Sequence, residues 1–120
     1  MNSSVAAVEN NKINRFSVAQ IAKKLIWRQL SKIHTGTIVL YEQGVRHSFG
    51  EALLPGEDLY SEMHIHDISC YSDILTGGSI GASEAYMTGD WTSPDLTSLI
   101  RVMAKNMDIL DQIEGGFAAI

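Results

Sequence analysis

Between residues 77 and 91 the chain sets four glycines, Gly77, Gly78, Gly81 and Gly89, among small and apolar neighbours with a lone Glu84 between them. Each glycine inside a helix costs roughly 0.5–1 kcal/mol relative to alanine, so one long regular helix is excluded there. The segment reads as two short helices. Asp67 caps the first, Ile68–Thr76, and Gly77-Gly78 ends it; the second spans about Ile80–Met87 and stops at Gly89. Gly77 and Gly89, each following a threonine, are expected in the left-handed conformation. Gly89-Asp90-Trp91 then reads as a brief extended piece.

The hydrophobic period changes on both sides of this block. Upstream, Ser17 is a good cap for a helix to about Ile33, with Val18, Ile21, Ala22, Leu25, Ile26, Leu30 and Ile33 forming one broad apolar face. Residues 1–14 carry no such period and are expected to be mobile. Thr37–Tyr41 is β-branched and aromatic, Gly44 marks a turn, and Val45–Phe49 returns antiparallel. Leu53–Asp58 reads as a loop. Tyr60–His66 alternates, with Ser61, Met63 and Ile65 on one face and Glu62, His64 and His66 on the other. Downstream, Ser93-Pro94-Asp95 starts a long amphipathic helix whose face is Leu96, Leu99, Ile100, Met103, Met107 and Leu110, ended near Gly115-Gly116. Helix, then strands, then helices is an α+β order. The expected sheet is small and mostly antiparallel.

At 120 residues with 45% apolar and 19% charged composition, the chain suits one globular domain. No apolar run reaches the roughly 18–20 residues of a membrane span, and the N-terminus lacks the pattern of a signal peptide. A single cysteine, Cys70, rules out an internal disulfide and suits a reducing cytoplasm. The net charge of −5 is unevenly spread. From Asn11 to Tyr41 there are six basic residues and no acid, while 13 acids face three basic residues beyond Tyr41. Lys24, Arg28 and Lys32 recur every four residues in one row, with Lys23 beside them. Such a segment can meet anionic lipid at short range, or dock on the acidic remainder of the chain.

The block Gly77–Leu99, with its Ala-Tyr-Met, Gly-Asp-Trp and Ser-Pro-Asp-Leu runs, resembles the N-terminal domain of cyclopropane-fatty-acyl-phospholipid synthases. The similarity extends more weakly over about residues 20–117, through Arg46, Phe49 and Gly50 in the return strand. The resemblance implies a lipid- and membrane-engaging domain at 15–117, peripheral at the inner membrane face, that presents phospholipid acyl chains to a catalytic domain. Residues 118–120 would begin the linker to that domain, which would supply S-adenosylmethionine-dependent methyl transfer. The helix–sheet–helix order is also similar to sterol-carrier-protein domains. On this reading Lys23, Lys24, Arg28 and Lys32 meet headgroups, and Glu84, Tyr86, Met87 and Trp91 meet acyl chains or the catalytic domain. The implied partners are a phospholipid surface, the catalytic domain and a second copy of the chain, with no nucleic acid. The alternatives are a purely structural packing or dimerisation domain and a stand-alone lipid carrier.

No catalytic, cofactor or metal residues are expected in the chain itself. Gly77–Gly81 offers G-G-x-x-G, but a helix precedes it where a nucleotide-binding turn needs a strand. No G-x-S-x-G elbow is present. His64 and His66 lie about 6.5–7 Å apart on one strand face, yet without C-x-x-C or H-x-x-x-H support they read as a polar sheet face, and Cys70 as a core residue. Glu84, if its helix is buried, needs hydrogen bonds that would fix the turn. Tyr86, Met87, Trp91 and Phe117 suit an acyl cavity and an ordinary core alike.

Overall fold

The computed structural model of the protein describes the backbone of residues 3–113 and the side chains of residues 17–113. Phe117 and the expected linker at 118–120 lie outside the described residues. Helix α1 spans Ser3–Leu30, so Ser17 lies inside a helix and caps nothing. Ala6, Ala7, Glu9 and Lys12 are strong helix formers, and a helix already nucleated by a packed second half extends at little cost. Residues 3–14 therefore have helical backbone, which their lack of apolar period does not announce.

Strands β1 (Thr37–Glu42) and β2 (Val45–Gly50) pair antiparallel across a two-residue turn at Gln43-Gly44. Both turn residues have positive φ, 52° and 76°, the twist that a tight hairpin requires. Strand β3 (Tyr60–Ile65) lies beside β1 in parallel register, Thr37 opposite Tyr60 and Leu40 opposite Met63. The sheet order is β2-β1-β3-β4, where β4 (Trp91–Thr92) pairs antiparallel with the end of β3. Two of the three pairings are therefore antiparallel as expected and the central one is not. Strand β2 ends with Gly50 opposite Thr37, so the connection over 51–59 starts beside the beginning of β1 and crosses to its other edge. The Glu51 carbonyl accepts from the Thr37 hydroxyl, and the Glu51 carboxylate accepts from the Gly36 N–H at 2.7 Å. The chain thus returns to the start of β1 before β3 begins.

Helix α2 (Cys70–Met87) is continuous in name only, since Gly78 sits inside it at φ 56°, ψ −134°. The two halves fold back until a Cβ on Gly81 would lie 1.9 Å from the carbonyl oxygen of Asp73. The two short helices expected from sequence are these halves. The residue that leaves helical space is Gly78, one position beyond the expected Gly77, while Gly89 has φ 82° as anticipated. The expected caps shift as well: α2 begins after Ser69, and Asp67 instead accepts the Ser69 N–H at 2.9 Å.

The expected long C-terminal helix is broken into α3 (Leu96–Ala104) and α4 (Met107–Asp111). Asp95, not Ser93, caps α3 by accepting the Ser98 N–H. Ser93 donates to the Glu62 carbonyl at 2.6 Å. At the α3–α4 corner, the fully buried Asn106 explains the break. Its amide oxygen accepts the N–H groups of His34 (3.0 Å) and Thr35 (3.2 Å), and its amide nitrogen donates to the carbonyls of Thr35 (2.8 Å) and Val102 (2.7 Å). Four hydrogen bonds to the α1–β1 loop and to α3 hold the corner and satisfy the buried amide.

One sheet face carries Ile38, Leu40, Met63 and Ile65, and the helices cover it to form a single core with Ile26, Leu30, Tyr71, Ile74, Leu99 and Val102. The architecture is α+β. The opposite sheet face is polar around a buried Val39. There the Tyr60 hydroxyl donates to Glu62 at 2.7 Å and His64 Nε2 lies 2.9 Å from the other Glu62 oxygen. The His64 bond holds the Glu62 carboxyl below its ordinary value, and burial and then Glu62 push Tyr60 up to about 12.

Candidate functional site, an apolar cavity beneath the sheet

The helices do not fill the space over the sheet. They leave a half-open cavity of about 440 Å³, within the range of roughly 300–1,000 Å³ typical of small-molecule sites. Its floor is Ile38, Leu40 and Met63 of the sheet, and Ile26 and Leu30 of α1 form one wall. Tyr71, Ile74, Gly78, Ser79, Ala82 and Ser83 of α2 form a second, with Trp91 beside them. The α3–α4 corner supplies Leu96, Leu99, Met103, Met107 and Leu110. The sequence dictates this geometry locally: the Gly78 break lets the second half of α2 turn back along the cavity, and Asn106 folds α4 over its other side.

The wall has no Asp, Glu, Lys, Arg or His among the described residues. Three of its polar groups, on Tyr71, Trp91 and Ser83, are engaged elsewhere. The Tyr71 hydroxyl donates to Glu42 Oε1 at 2.7 Å and accepts from Trp27 Nε1 at 3.2 Å, and burial followed by the Glu42 contact raises its pKa strongly. Trp91 Nε1 donates to the Ala82 carbonyl at 2.8 Å, and the Ser83 hydroxyl to the Ser79 carbonyl at 2.8 Å. Such a surface offers dispersion and desolvation, with no fixed charge to hold a headgroup.

Of the residues expected to touch acyl chains, Tyr86, Met87 and Trp91 all line this cavity. Trp91 is buried in its wall and its ring lies tilted against Tyr86 with centroids 5.0 Å apart. Met87, 81% exposed, and the exposed Tyr86, Ile100 and Met107 lie where lining meets solvent. Glu84 is exposed and absent from the lining, so the hydrogen bonds expected of a buried acid are not required of it. The sequence gives no hint that Ile26, Leu40, Leu99 and Met107, spread over 82 positions, share one cavity. The available signal was the run Met103, Met107, Leu110, richer in long flexible side chains than a tightly packed face needs.

The basic residues divide. Lys23 forms an ion pair with Glu42 and sits 4.6 Å from the Trp27 ring centroid, part of a Lys23–Glu42–Tyr71–Trp27 cluster joining α1, β1 and α2. Lys24, Arg28 and Lys32 are exposed. His66 bonds Thr92 at 2.7 Å, His64 bonds Glu62, and Cys70 is buried away from solvent with its thiol pushed up to about 12 by burial and then nearby carboxylates. No group of three or more metal-ligating side chains is gathered among the described residues, and no helix there is long and apolar enough to cross a membrane. Compared with protein-family models, with curated proteins and with solved structures, the chain finds no match.

Proposed function

We propose that this domain binds the hydrocarbon chain of a lipid in the cavity between sheet and helices. The observation that carries the reading is the wall itself: about 440 Å³ lined mainly by aliphatic, aromatic and methionine side chains, with no carboxylate, ammonium, guanidinium or imidazole among the described residues. Each methylene moved from water into such a site gains about 0.8 kcal/mol, so a chain of about ten methylenes gives a gross gain near 8 kcal/mol before the costs of association. The resemblance to the N-terminal domain of cyclopropane-fatty-acyl-phospholipid synthases supplies the context. The domain would work at the membrane periphery, presenting a phospholipid chain to an S-adenosylmethionine-dependent catalytic domain.

The exposed Tyr86, Met87, Ile100 and Met107 favour a second reading. Contiguous exposed apolar residues also suit a protein interface, in which the domain packs on a catalytic half or on a second copy. A neutral fluorescent probe separates the two. N-phenyl-naphthylamine should brighten on binding the chain and be displaced by dodecanol. A protein that neither brightens the probe nor binds dodecanol, yet self-associates, would decide for the packing role.

A further inference from the structure

Helix α1 turns outward a face that the core does not use. Val18 is 55% and Ile21 60% exposed, although both fall within the apolar arc that periodicity assigns to the core. The helix is instead rotated to bury Ala19, Ala22, Ile26 and Leu30. Val18, Ile21, Leu25 and Arg28 follow at spacings of three, four and three, which sets them in one stripe along the helix. Lys24 flanks that stripe, and Lys32 follows in the turn beyond Leu30. Lys24, Arg28 and Lys32 have no ion-pair partner among the described residues, and no carboxylate occurs between Asn11 and Tyr41.

Exposed aliphatic side chains and unneutralised cations on the outer face of α1 and in the turn that follows it are complementary to an anionic lipid layer. There the cations meet phosphates and the aliphatics enter the acyl boundary. The apolar cavity of the same domain favours lipid over an acidic protein surface as the occupant of this face. We propose that the outer face of α1 docks on an anionic bilayer, with Val18 and Ile21 as the inserted anchors and Lys24, Arg28 and Lys32 as the headgroup contacts. The proposal rests on the cavity reading only in making lipid the ligand, and Lys23, held by Glu42, has no part in it.

The test is co-sedimentation of the full chain with vesicles of phosphatidylcholine, alone or mixed with phosphatidylglycerol, at low and high salt. Wild type should bind the anionic vesicles and release as salt rises. Each cation contributes roughly a fivefold effect, so the triple variant Lys24→Gln, Arg28→Gln, Lys32→Gln should bind on the order of 100-fold more weakly. The double variant Val18→Ser, Ile21→Ser changes only exposed side chains. It should bind roughly tenfold more weakly while keeping the salt dependence. N-phenyl-naphthylamine binding in the cavity should be unchanged in both. Absence of wild-type binding, equal binding to neutral vesicles at every salt, or either variant binding like wild type would overturn the proposal. So would a dimer that Val18→Ser, Ile21→Ser dissociates, which assigns the face to a second copy. Probe binding without vesicle binding leaves the cavity reading intact and ends this one.

Discussion

Replacing Asn106 with alanine should be among the most damaging single changes in the chain. The side chain is fully buried and makes four hydrogen bonds, two accepted and two donated. At about 0.5–1.5 kcal/mol net apiece, their loss amounts to roughly 2–6 kcal/mol. His34 is exposed and Thr35 half-exposed, so water can take over part of what they lose. The Val102 carbonyl accepts at a buried position and cannot be rescued in that way. A loss of about 3 kcal/mol is therefore expected, a large share of the 5–15 kcal/mol that holds a typical domain. At about 4 °C per kcal/mol the melting temperature should fall by roughly 12 °C. Urea unfolding followed by tryptophan fluorescence measures the difference, with the exposed neighbour Lys105→Ala as a control expected within about 0.5 kcal/mol of wild type. Because this corner carries Met103, Met107 and Leu110 into the cavity wall, probe affinity should fall as well. An Asn106→Ala protein within about 1 kcal/mol of wild type would refute the claim that this residue sets the corner.

Other outcomes follow from the same geometry. Gly81→Ala places a Cβ against the Asp73 carbonyl oxygen, a backbone contact that cannot relax locally, so it should destabilise by at least about 2 kcal/mol in thermal unfolding; a neutral result would mean the two halves of α2 are not packed this way. Gly89→Val meets no neighbour but holds φ 82°, and the strain alone should cost on the order of 1–3 kcal/mol. Ala82→Phe projects into the cavity and should weaken dodecanol binding roughly tenfold or more while leaving the melting temperature unchanged or higher. Glu62 has its folded-state pKa depressed below the ordinary 4.5, chiefly by His64. Its contribution to stability is therefore present above the unfolded value and lost as pH falls through the folded one. Wild type should lose more stability than Glu62→Gln across that acid range, and parallel losses would contradict the pairing.

The parts of this fold that were legible in the sequence are those fixed by local periodicity or backbone sterics. The alternation of Tyr60–Ile65 assigns Met63 and Ile65 to the core because a strand has only two faces. The break between the halves of α2 was legible because glycine alone tolerates such a conformation. Other features depended on partners distant in the chain. The parallel pairing of β1 with β3 requires the connecting loop to cross from β2 past the start of β1, where Glu51 fastens it to Gly36 and Thr37, and no local pattern announces that crossing. The α3–α4 break follows from a single asparagine whose bonds to His34 and Thr35 reach 72 and 71 positions away. Periodicity also blurred α1, since Val18 and Ile21 lie at the margin of the apolar arc, and only docking decides which side of that arc is buried. For the cavity, Tyr86, Met87 and Trp91 were legible as soft apolar surface, whereas the lining that faces them is assembled from five separate elements, α1, β1, β3, α3 and α4.

The claim that a lipid chain occupies the cavity is tested most directly by the two tryptophans. Trp91 lines the cavity and Trp27 does not. Single-tryptophan proteins, Trp27→Phe and Trp91→Phe, can be titrated with phosphatidylcholine brominated in mid-chain and with its unbrominated counterpart. Bromine quenches only at contact range, so the account predicts that emission from Trp91 falls with the brominated lipid alone while emission from Trp27 does not. Equal quenching of both tryptophans, or none at lipid concentrations that displace the neutral probe, would place the chain outside the cavity and contradict it.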